Sequence, residues 1–386
     1  VIMKLIPIIG LICIIVPSHA FIPPVPTHSW STLSSQPTMH PKSKVMSTTT
    51  STITTQIDVN EEVELSSSSK LPTLSEIRRN LDPNIFKVST SLSLRYFLTD
   101  LLLITLTTAP LYHLTQTTFY HDLPLPLQLI TPIPLQLASG FSSWCMWCIG
   151  HDAGHGTVSK DNKIVNEVVG EIAHSVFSLT PFSNWRMSHL KHHLNHNHLT
   201  SDYSHQWFVR EEDPIKNGEW WMKPAYETRM LQLPILYLVY LLLGIPDGGH
   251  VIPYGRMWEG EPSSSYIRGY ISTAITCLTA GGLLAWMGPL TFATVVFVPW
   301  CVMSTWLFMV TYLQHHSDGG KLYTDDTWEF VKGGFETVDR DYGDFWNTMS
   351  HDMMNGHVMH HLFFATVPHY RLREGTKQLK VFLEER

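Results

Sequence analysis

The chain has 386 residues, of which 44% are hydrophobic and only 15% are charged, and its net charge is -7 at pH 7. A soluble globular chain usually carries nearer a quarter charged residues, so the composition favours a membrane protein. The acidic balance and the lack of a long basic run argue against a nucleic-acid partner. Histidine stands out, with 22 copies against 26 for lysine and arginine combined.

The first 56 residues have the composition of a targeting leader. Residues 3–20 contain one lysine, an apolar stretch and a small-residue end at Ala20, as in a cleaved signal peptide, although a membrane or interfacial anchor would have a similar core. Phe21 then begins a Ser- and Thr-rich segment with several lysines and few acids, which is typical of transit peptides. This combination resembles the two-part plastid leader of algae with complex plastids.

A polar segment and five apolar runs follow the leader. Residues 57–90 predict a solvated linker with a short helix near 74–80. Four of the apolar runs reach the ~20 residues that a helix needs to cross a bilayer, whereas the run 231–245 is short. The four predicted spans are 97–118, 125–149, 268–287 and 290–313.

Short links at 119–124 and 288–289 predict that the spans form two hairpins. The large loop 150–230 is rich in Lys and Arg, whereas neither hairpin turn contains one, so all large loops are expected on one face of the membrane. The run 231–245 must then lie in the interface or re-enter without crossing. The predicted fold is an all-α membrane protein with four transmembrane helices in two hairpins and an extramembrane helical cap.

The five cysteines all fall in apolar stretches, which argues against structural disulfides. Cys145 and Cys148 form a CxxC pair, a spacing also found in redox and metal sites. A single pair among Trp and Met in an apolar run favours ordinary helix packing.

Three histidine clusters lie on the same predicted face of the membrane. HDAGH places two histidines four residues apart, and HLKHH and HVMHH each place three at i, i+3 and i+4, so the rings of each cluster project from one side of a helix. One such cluster is compatible with ordinary surface or core histidines, but three together predict a shared metal centre. Its candidate ligands are His151, His155, His189, His192, His193, His357, His360 and His361.

The number and type of these residues bear on the metal. Neutral imidazole suits iron, zinc, copper and nickel. Eight histidines exceed the needs of one tetrahedral zinc, and the Glu-x-x-His ligands of soluble di-iron bundles are missing. Two metal ions sharing an all-nitrogen shell therefore fit the count better.

Further residues are candidates for the same centre. His315, in TYLQHH, is a candidate ninth ligand, and His316 beside it is either a ligand or an outer residue. Asp152 is the strongest candidate to orient a ligand by accepting its second ring N–H, and Asp352, Asp339 and Asp341 are others. We interpret six of the remaining histidines as structural or outer residues: His174, His196, His198, His205, His351 and His369.

Residues 91–373 resemble the membrane fatty-acid desaturases, specifically the methyl-end acyl-lipid group. The resemblance rests on the blocks HDAGHG, SLTPFSNWRMSHLKHHLNHNH, TYLQHH, ETVDRDYG and HVMHHLFFATVPHY, in that order. It implies two iron ions held by the three clusters and His315, O2 as co-substrate, and formation of a cis double bond in an acyl chain. The implied organisation is a leader (1–56), a linker (57–90), the desaturase domain (91–373) and a short tail (374–386).

The same resemblance suggests the position of the bond and the partners. The HDxGH form, TYLxHH, and the pairs KL at 321–322 and GG at 333–334 are similar to omega-3 members, which convert linoleate to alpha-linolenate. LQH and TVDRDYG also occur in omega-6 (delta-12) members, which act on oleate. The haem motif HPGG is absent, so the electron donor is expected to be ferredoxin in a plastid membrane, or cytochrome b5 in the endoplasmic reticulum.

Two other functions are compatible with parts of the pattern. A related di-iron hydroxylase, acetylenase or conjugase would use the same ligands. A metal transporter should carry polar residues near the bilayer midplane, and the predicted spans have almost none.

Overall fold

A computed structural model of the chain describes residues 71–202, 241–242, 249–317 and 319–386. Within these ranges the regular elements are helices and no strand forms, which confirms the expected all-helical class. The predicted leader and most of the run 231–245 lie outside the described residues, so the predictions for them stay predictions.

Thirteen helices carry the described part of the chain. In order they are α1 (Leu74–Arg79), α2 (Thr90–Thr115), α3 (Thr118–Asp122), α4 (Leu125–Ile130), α5 (Ile133–His155), α6 (Lys163–Gly170), α7 (Phe182–Asn195), α8 (Ser263–Met287), α9 (Pro289–Leu313), α10 (Phe330–Phe335), α11 (Asp344–Met349), α12 (His357–Phe363) and α13 (Leu372–Glu384). A π-helical turn, Glu171–Phe177, extends α6, and 3-10 turns lie at Pro83–Phe86, Arg256–Trp258 and His369–Arg371.

Three of the described helices are long and apolar enough to cross a membrane, namely α2, α8 and α9. They correspond to the predicted spans 97–118, 268–287 and 290–313. The Ser89 hydroxyl caps α2 by accepting the N–H of Leu92. Gly288, with φ of 78°, makes the tight turn between α8 and α9, which is a backbone conformation that glycine adopts readily.

The predicted span 125–149 is divided into two helices. The chain bends at Thr131 and Pro132, and Pro134 occupies the first turn of α5, where its missing N–H costs nothing. α5 then continues past Ile149 to His155, beyond the predicted end. It is not among the three helices that satisfy both the length and the hydropathy of a span, so the fourth span and the hairpins stay predictions.

α5 lies at the centre of the packing, between α2 and α9. It approaches α9 closely at Gly140, where any side chain would overlap Val302 and would lie 2.6 Å from the carbonyl oxygen of Pro299. The absence of a side chain therefore lets the two helix backbones approach each other. Both helices run toward the same end of the molecule, where α5 ends at His155 and α9 ends just before His315.

The segments on either side of the main helices differ from expectation. α1 lies where the short helix was predicted, but Ile77, Leu81 and Ile85 are buried in the main core rather than solvated. Ile77 lies on α1, Leu81 in the connection after it and Ile85 in the 3-10 turn that follows, and burying the three side chains stabilises the fold. At the other end, most of the predicted tail forms α13, which buries Leu379 in the same core.

Candidate metal centre

The end of α5 presents the first two histidines. His151 and His155 lie one helical turn apart, and their Nε2 atoms are 3.3 Å from each other. Gly156 ends the helix with φ of 73°, so the chain turns away directly after the second histidine. The bend at Pro132 and the continuation past Ile149 thus place both rings at the end of an apolar helix.

α7 contributes histidines in two directions. His189 and His193 are separated by four residues, and their Nε2 atoms lie 3.0 Å apart. His192 points to another side of the helix, and its Nε2 lies 3.3 Å from Nε2 of His315. One helix therefore supplies two groups, because neighbouring positions differ by about 100° around the axis.

α12 divides its histidines in the same way. Nε2 of His360 lies 3.1 Å from Nε2 of His193. His361 turns to His315 instead, with ring centres 4.7 Å apart. Nε2 of His357 lies 3.0 Å from Nε2 of His315.

The nine candidate ligands thus converge on one place and form two groups. In each group, one nitrogen per residue lies within 4.8 Å of the others. His357 lies at the edge of the second group, against His315. The first group is His151, His155, His189, His193 and His360, and the second is His192, His315 and His361.

The chemistry of these side chains fits metal binding. Burial lowers the pKa of His193 and His361 well below the usual range and that of His192 to about 3, so the rings are neutral and keep a lone pair. Both ring nitrogens of His361 are buried without a hydrogen-bond partner in the described part of the chain. Imidazole nitrogens bound about 2.1 Å from one ion and at right angles would lie about 3 Å apart, as many of these do.

Two carboxylates lie behind the ligands. Asp152 accepts a hydrogen bond of 2.9 Å from Nδ1 of His369, and its other oxygen lies 3.7 Å from Nδ1 of His151. Asp202 accepts a hydrogen bond of 2.9 Å from Nδ1 of His192. Such acceptors fix which ring nitrogen of a histidine faces the metal.

Asp202 was not among the sequence candidates. It lies ten positions after His192, in the turn beyond the end of α7, and no helical spacing connects the two. The only available signal was an acid shortly after a histidine cluster, which is weak.

A second buried pair joins α2 to the loop before α12. Nε2 of His351 donates a hydrogen bond of 2.9 Å to Asp100, a buried residue of α2, the first apolar helix. The His351 ring also packs edge-on against the His369 ring, with centres 4.5 Å apart. Asp100 thus places a buried carboxyl group in a span that was predicted to have almost no polar side chains.

Several predicted outer residues have other partners. His316 stacks on Tyr312 with ring centres 4.0 Å apart, and Asp352 accepts hydrogen bonds of 2.8 and 3.0 Å from Arg373. Neither belongs to the two histidine groups, so their outer-shell roles stay predictions.

The remaining candidates have local structural contacts. Asp339 accepts the backbone N–H of Val358 in the first turn of α12, and Asp341 accepts the N–H of Gly343. His174 donates to the carbonyl oxygen of Trp147 at 3.0 Å, and His198 pairs with Asp325 at 2.9 Å. His205 lies outside the described residues.

A largely apolar cavity borders both histidine groups. His151 and His189 of the first group and His192 and His315 of the second lie along it, together with His357. The rest of its wall is mainly aromatic and aliphatic, and includes Trp144, Trp147, Cys148, Trp185, Leu307 and Val310. A long hydrocarbon chain would find apolar contacts there beside the candidate metal ligands.

Comparison with known proteins gives a consistent result. The family model described as fatty acid desaturase matches residues 129–386. The chain is 40% identical over 257 residues to an acyl-lipid omega-3 desaturase (cytochrome b5) of the endoplasmic reticulum from Arabidopsis thaliana, covering 63% of this chain and 62% of that protein. The chain thus spans less than two thirds of that relative's length.

Two other relatives cover more of both chains. A delta(12) fatty acid desaturase, fat-2, from Caenorhabditis elegans is 31% identical over 340 residues, which is 86% of this chain and 85% of the relative. An sn-1 acyl-lipid omega-3 desaturase (ferredoxin) from Synechocystis is 33% identical over 318 residues, or 81% and 82% of the two chains.

Proposed function

Because this chain belongs to the fatty acid desaturase family, we propose that it is an O2-dependent acyl-lipid desaturase that forms a cis double bond near the methyl end of its substrate. The proposed reaction is of the omega-3 type, linoleate to alpha-linolenate. The two hydrogens removed from adjacent carbons leave with O2, two electrons and two protons as two molecules of water.

The observation that carries the proposal is the contact between the cavity and both histidine groups. An apolar cavity gives an acyl chain a place to bind, and the histidines on its wall put the reacting carbons beside the candidate metal ions. Apart from the histidines and Thr311, the wall consists of aromatic, aliphatic and sulfur-containing side chains, which suits a hydrocarbon chain.

We infer that the metal ions are two irons, one for each histidine group. Bound iron would supply the oxidising chemistry with O2, which no side chain provides. Among the described residues, both groups consist of histidines alone. This supports the assignment, because imidazole is an accepted ligand for iron.

The chain's own residues then have separate tasks. Asp202 holds the His192 ring in the orientation that directs its Nε2 lone pair inward. Asp152 fixes the His369 ring and lies 3.7 Å from Nδ1 of His151. Trp147 and Trp185 cover part of the cavity beside His151 and His189 and keep water away from the reacting carbons.

The omega-3 assignment is supported by the names of the Arabidopsis and Synechocystis relatives. The alternative, omega-6 (delta-12) action on oleate, is supported by the Caenorhabditis elegans relative. A related hydroxylase would use the same histidines.

We further propose that α5 is a fourth membrane span and that α2 to α5 and α8 to α9 form the two hairpins. α5 packs between α2 and α9, both of which are long and apolar enough to cross a membrane. An even number of crossings would put the histidines of α5, α7 and α12 on one face.

The proposed donor is ferredoxin and the proposed location a plastid membrane. The transit-like leader, together with relatives named as ferredoxin-dependent, one of them chloroplastic, supports this. The alternative is cytochrome b5 in the endoplasmic reticulum, as named for the Arabidopsis relative.

Expression in yeast that contains oleate, with linoleate fed to a parallel culture, tests the reaction. We expect alpha-linolenate in the linoleate-fed cells, detected by gas chromatography of the fatty acids. Conversion of oleate alone would contradict the omega-3 assignment. No new double bond, despite good expression with ferredoxin and its reductase co-expressed, would contradict the desaturase proposal itself.

A further inference from the structure

The cavity beside the histidines is formed by matching rows on α5 and α9. On α5 the row is Trp144, Cys148 and His151. On α9 the row is Leu307, Val310 and Thr311, and His315 follows just after the helix ends. Trp144 precedes His151 by seven positions, which corresponds to about 10 Å along a helix axis. The cavity therefore extends from the histidines along the two helices, and Trp144 and Leu307 lie at its far end.

Burial shows which end is closed. Trp144 is 2% exposed and Leu307 is 6% exposed, whereas the partly exposed residues of the wall, His189 and Thr311, lie at the level of the histidines. An acyl chain would therefore enter at the histidine end with its terminal methyl group pointing toward Trp144.

Two contacts hold the closed end in place. Nε1 of Trp144 donates a hydrogen bond of 2.9 Å to Oγ of Ser350, and Ser350 is itself buried. One turn before Trp144, α5 touches α9 at Gly140, where a side chain would overlap Val302. There is no room for a chain to continue between the two helices beyond the indole.

We propose that the Trp144 indole stops the methyl end of the acyl chain and so sets the distance from that end to the new double bond. This inference rests on the proposed desaturase function. A chain that ends against a rigid surface presents the same carbons to the histidines each time, whatever its carboxyl end carries. The hydrogen bond to Ser350 fixes the indole ring, so the position at which the acyl chain ends is also fixed.

The experiment compares Trp144→Leu with the wild-type chain in yeast that contains oleate and linoleate, and locates each new double bond by mass spectrometry. The smaller side chain lets the acyl chain slide deeper, so bonds should form further from the methyl end. We expect the ratio of omega-6 to omega-3 products to rise about tenfold, the scale on which pockets discriminate single methylene groups.

Trp300→Leu is the matched control. Trp300 is another buried tryptophan, on α9, and its Nε1 donates a hydrogen bond of 2.8 Å to the carbonyl oxygen of Ser178. Unlike Trp144, it does not line the cavity. Its substitution should change the amount of product without changing the bond position.

Leu307→Ala provides a second enlargement of the closed end if Trp144→Leu yields too little folded protein. The inference is overturned if the wild-type chain forms double bonds and both enlarged variants place them where it does. If the wild-type chain forms no double bond at all, the proposed function fails, and this inference fails with it.

Discussion

His351, in the loop before α12, donates a 2.9 Å hydrogen bond to Asp100, which lies on α2, and both side chains are buried. Although burial acts to lower the pKa of His351, the Asp100 carboxylate raises it above the usual value. The pair ties the loop that leads into the third histidine cluster to the first apolar helix.

Asp100→Asn should therefore destabilise the protein. The amide fills the same space but loses the charge-assisted bond, which is worth about 2 kcal/mol when buried. The midpoint of thermal unfolding in detergent should fall by several degrees. Asp122→Asn, at an exposed position on α3, is the control and should leave the midpoint unchanged. Equal midpoints for the two variants would show that the buried pair contributes nothing.

Asp202→Asn should weaken metal binding through His192. Loss of an acceptor behind a ligand typically lowers metal affinity by about 10- to 100-fold. The measurement is the iron that stays on the purified protein during dialysis against a chelator. Asp325→Asn, which also removes a carboxylate beside a histidine but at an 88% exposed position, should retain iron like the wild type. Unchanged iron retention in Asp202→Asn would show that Asp202 does not support metal binding by His192.

Gly150→Ala should destabilise the packing of α5 against the π-helical turn Glu171–Phe177, next to His151. A Cβ at this position would overlap the ring of His174 and lie 2.9 Å from Cβ of Ala173. Overpacking of this kind costs about 1–3 kcal/mol. Gly281→Ala, on α8, where a Cβ meets nothing within 4 Å, should be neutral or slightly stabilising. Thermal unfolding of both variants checks the prediction, and a tolerated Gly150→Ala would mean that the helix can shift there.

The free energy of unfolding should depend on pH through His174. Burial lowers the pKa of His174 to about 3, whereas an unfolded histidine titrates near ~6.5. The unfolded chain thus binds more protons below that pH, so the contribution is fully present at neutral pH and is lost progressively as pH falls. The unfolding midpoint should be lower at pH 5.5 than at pH 7.5, and the difference should be smaller in His174→Gln. An unaltered difference in that variant would contradict the assignment.

The sequence predicted three long apolar helices and named the histidines that the structure brings close together, because both follow from local spacing. Apolar runs of sufficient length predicted α2, α8 and α9. The i, i+3, i+4 pattern predicted that the three rings on α7, and the three on α12, share one side of the helix, which is wrong, because each helix divides its histidines between the two groups. The break at Pro132 was visible as a proline within an apolar run, yet its effect on the length of α5 was not.

Contacts between distant segments could not be predicted from the spacing of residues in the sequence. Nothing in the spacing separates His192 from His193, although the structure places them in different groups. Asp152 meets His369 across 217 positions, and Asp100 meets His351 across 251. Such pairs follow from how the helices pack, and local pattern carries no information on that packing.

Whether the two histidine groups hold two iron ions is tested most directly by the metal content of the purified protein, measured by elemental mass spectrometry together with protein concentration. We expect two iron ions per chain, one for each histidine group, and lower iron in both His193→Ala and His361→Ala, which alter different groups. A preparation that desaturates linoleate yet holds a single ion, or zinc instead of iron, would contradict this expectation.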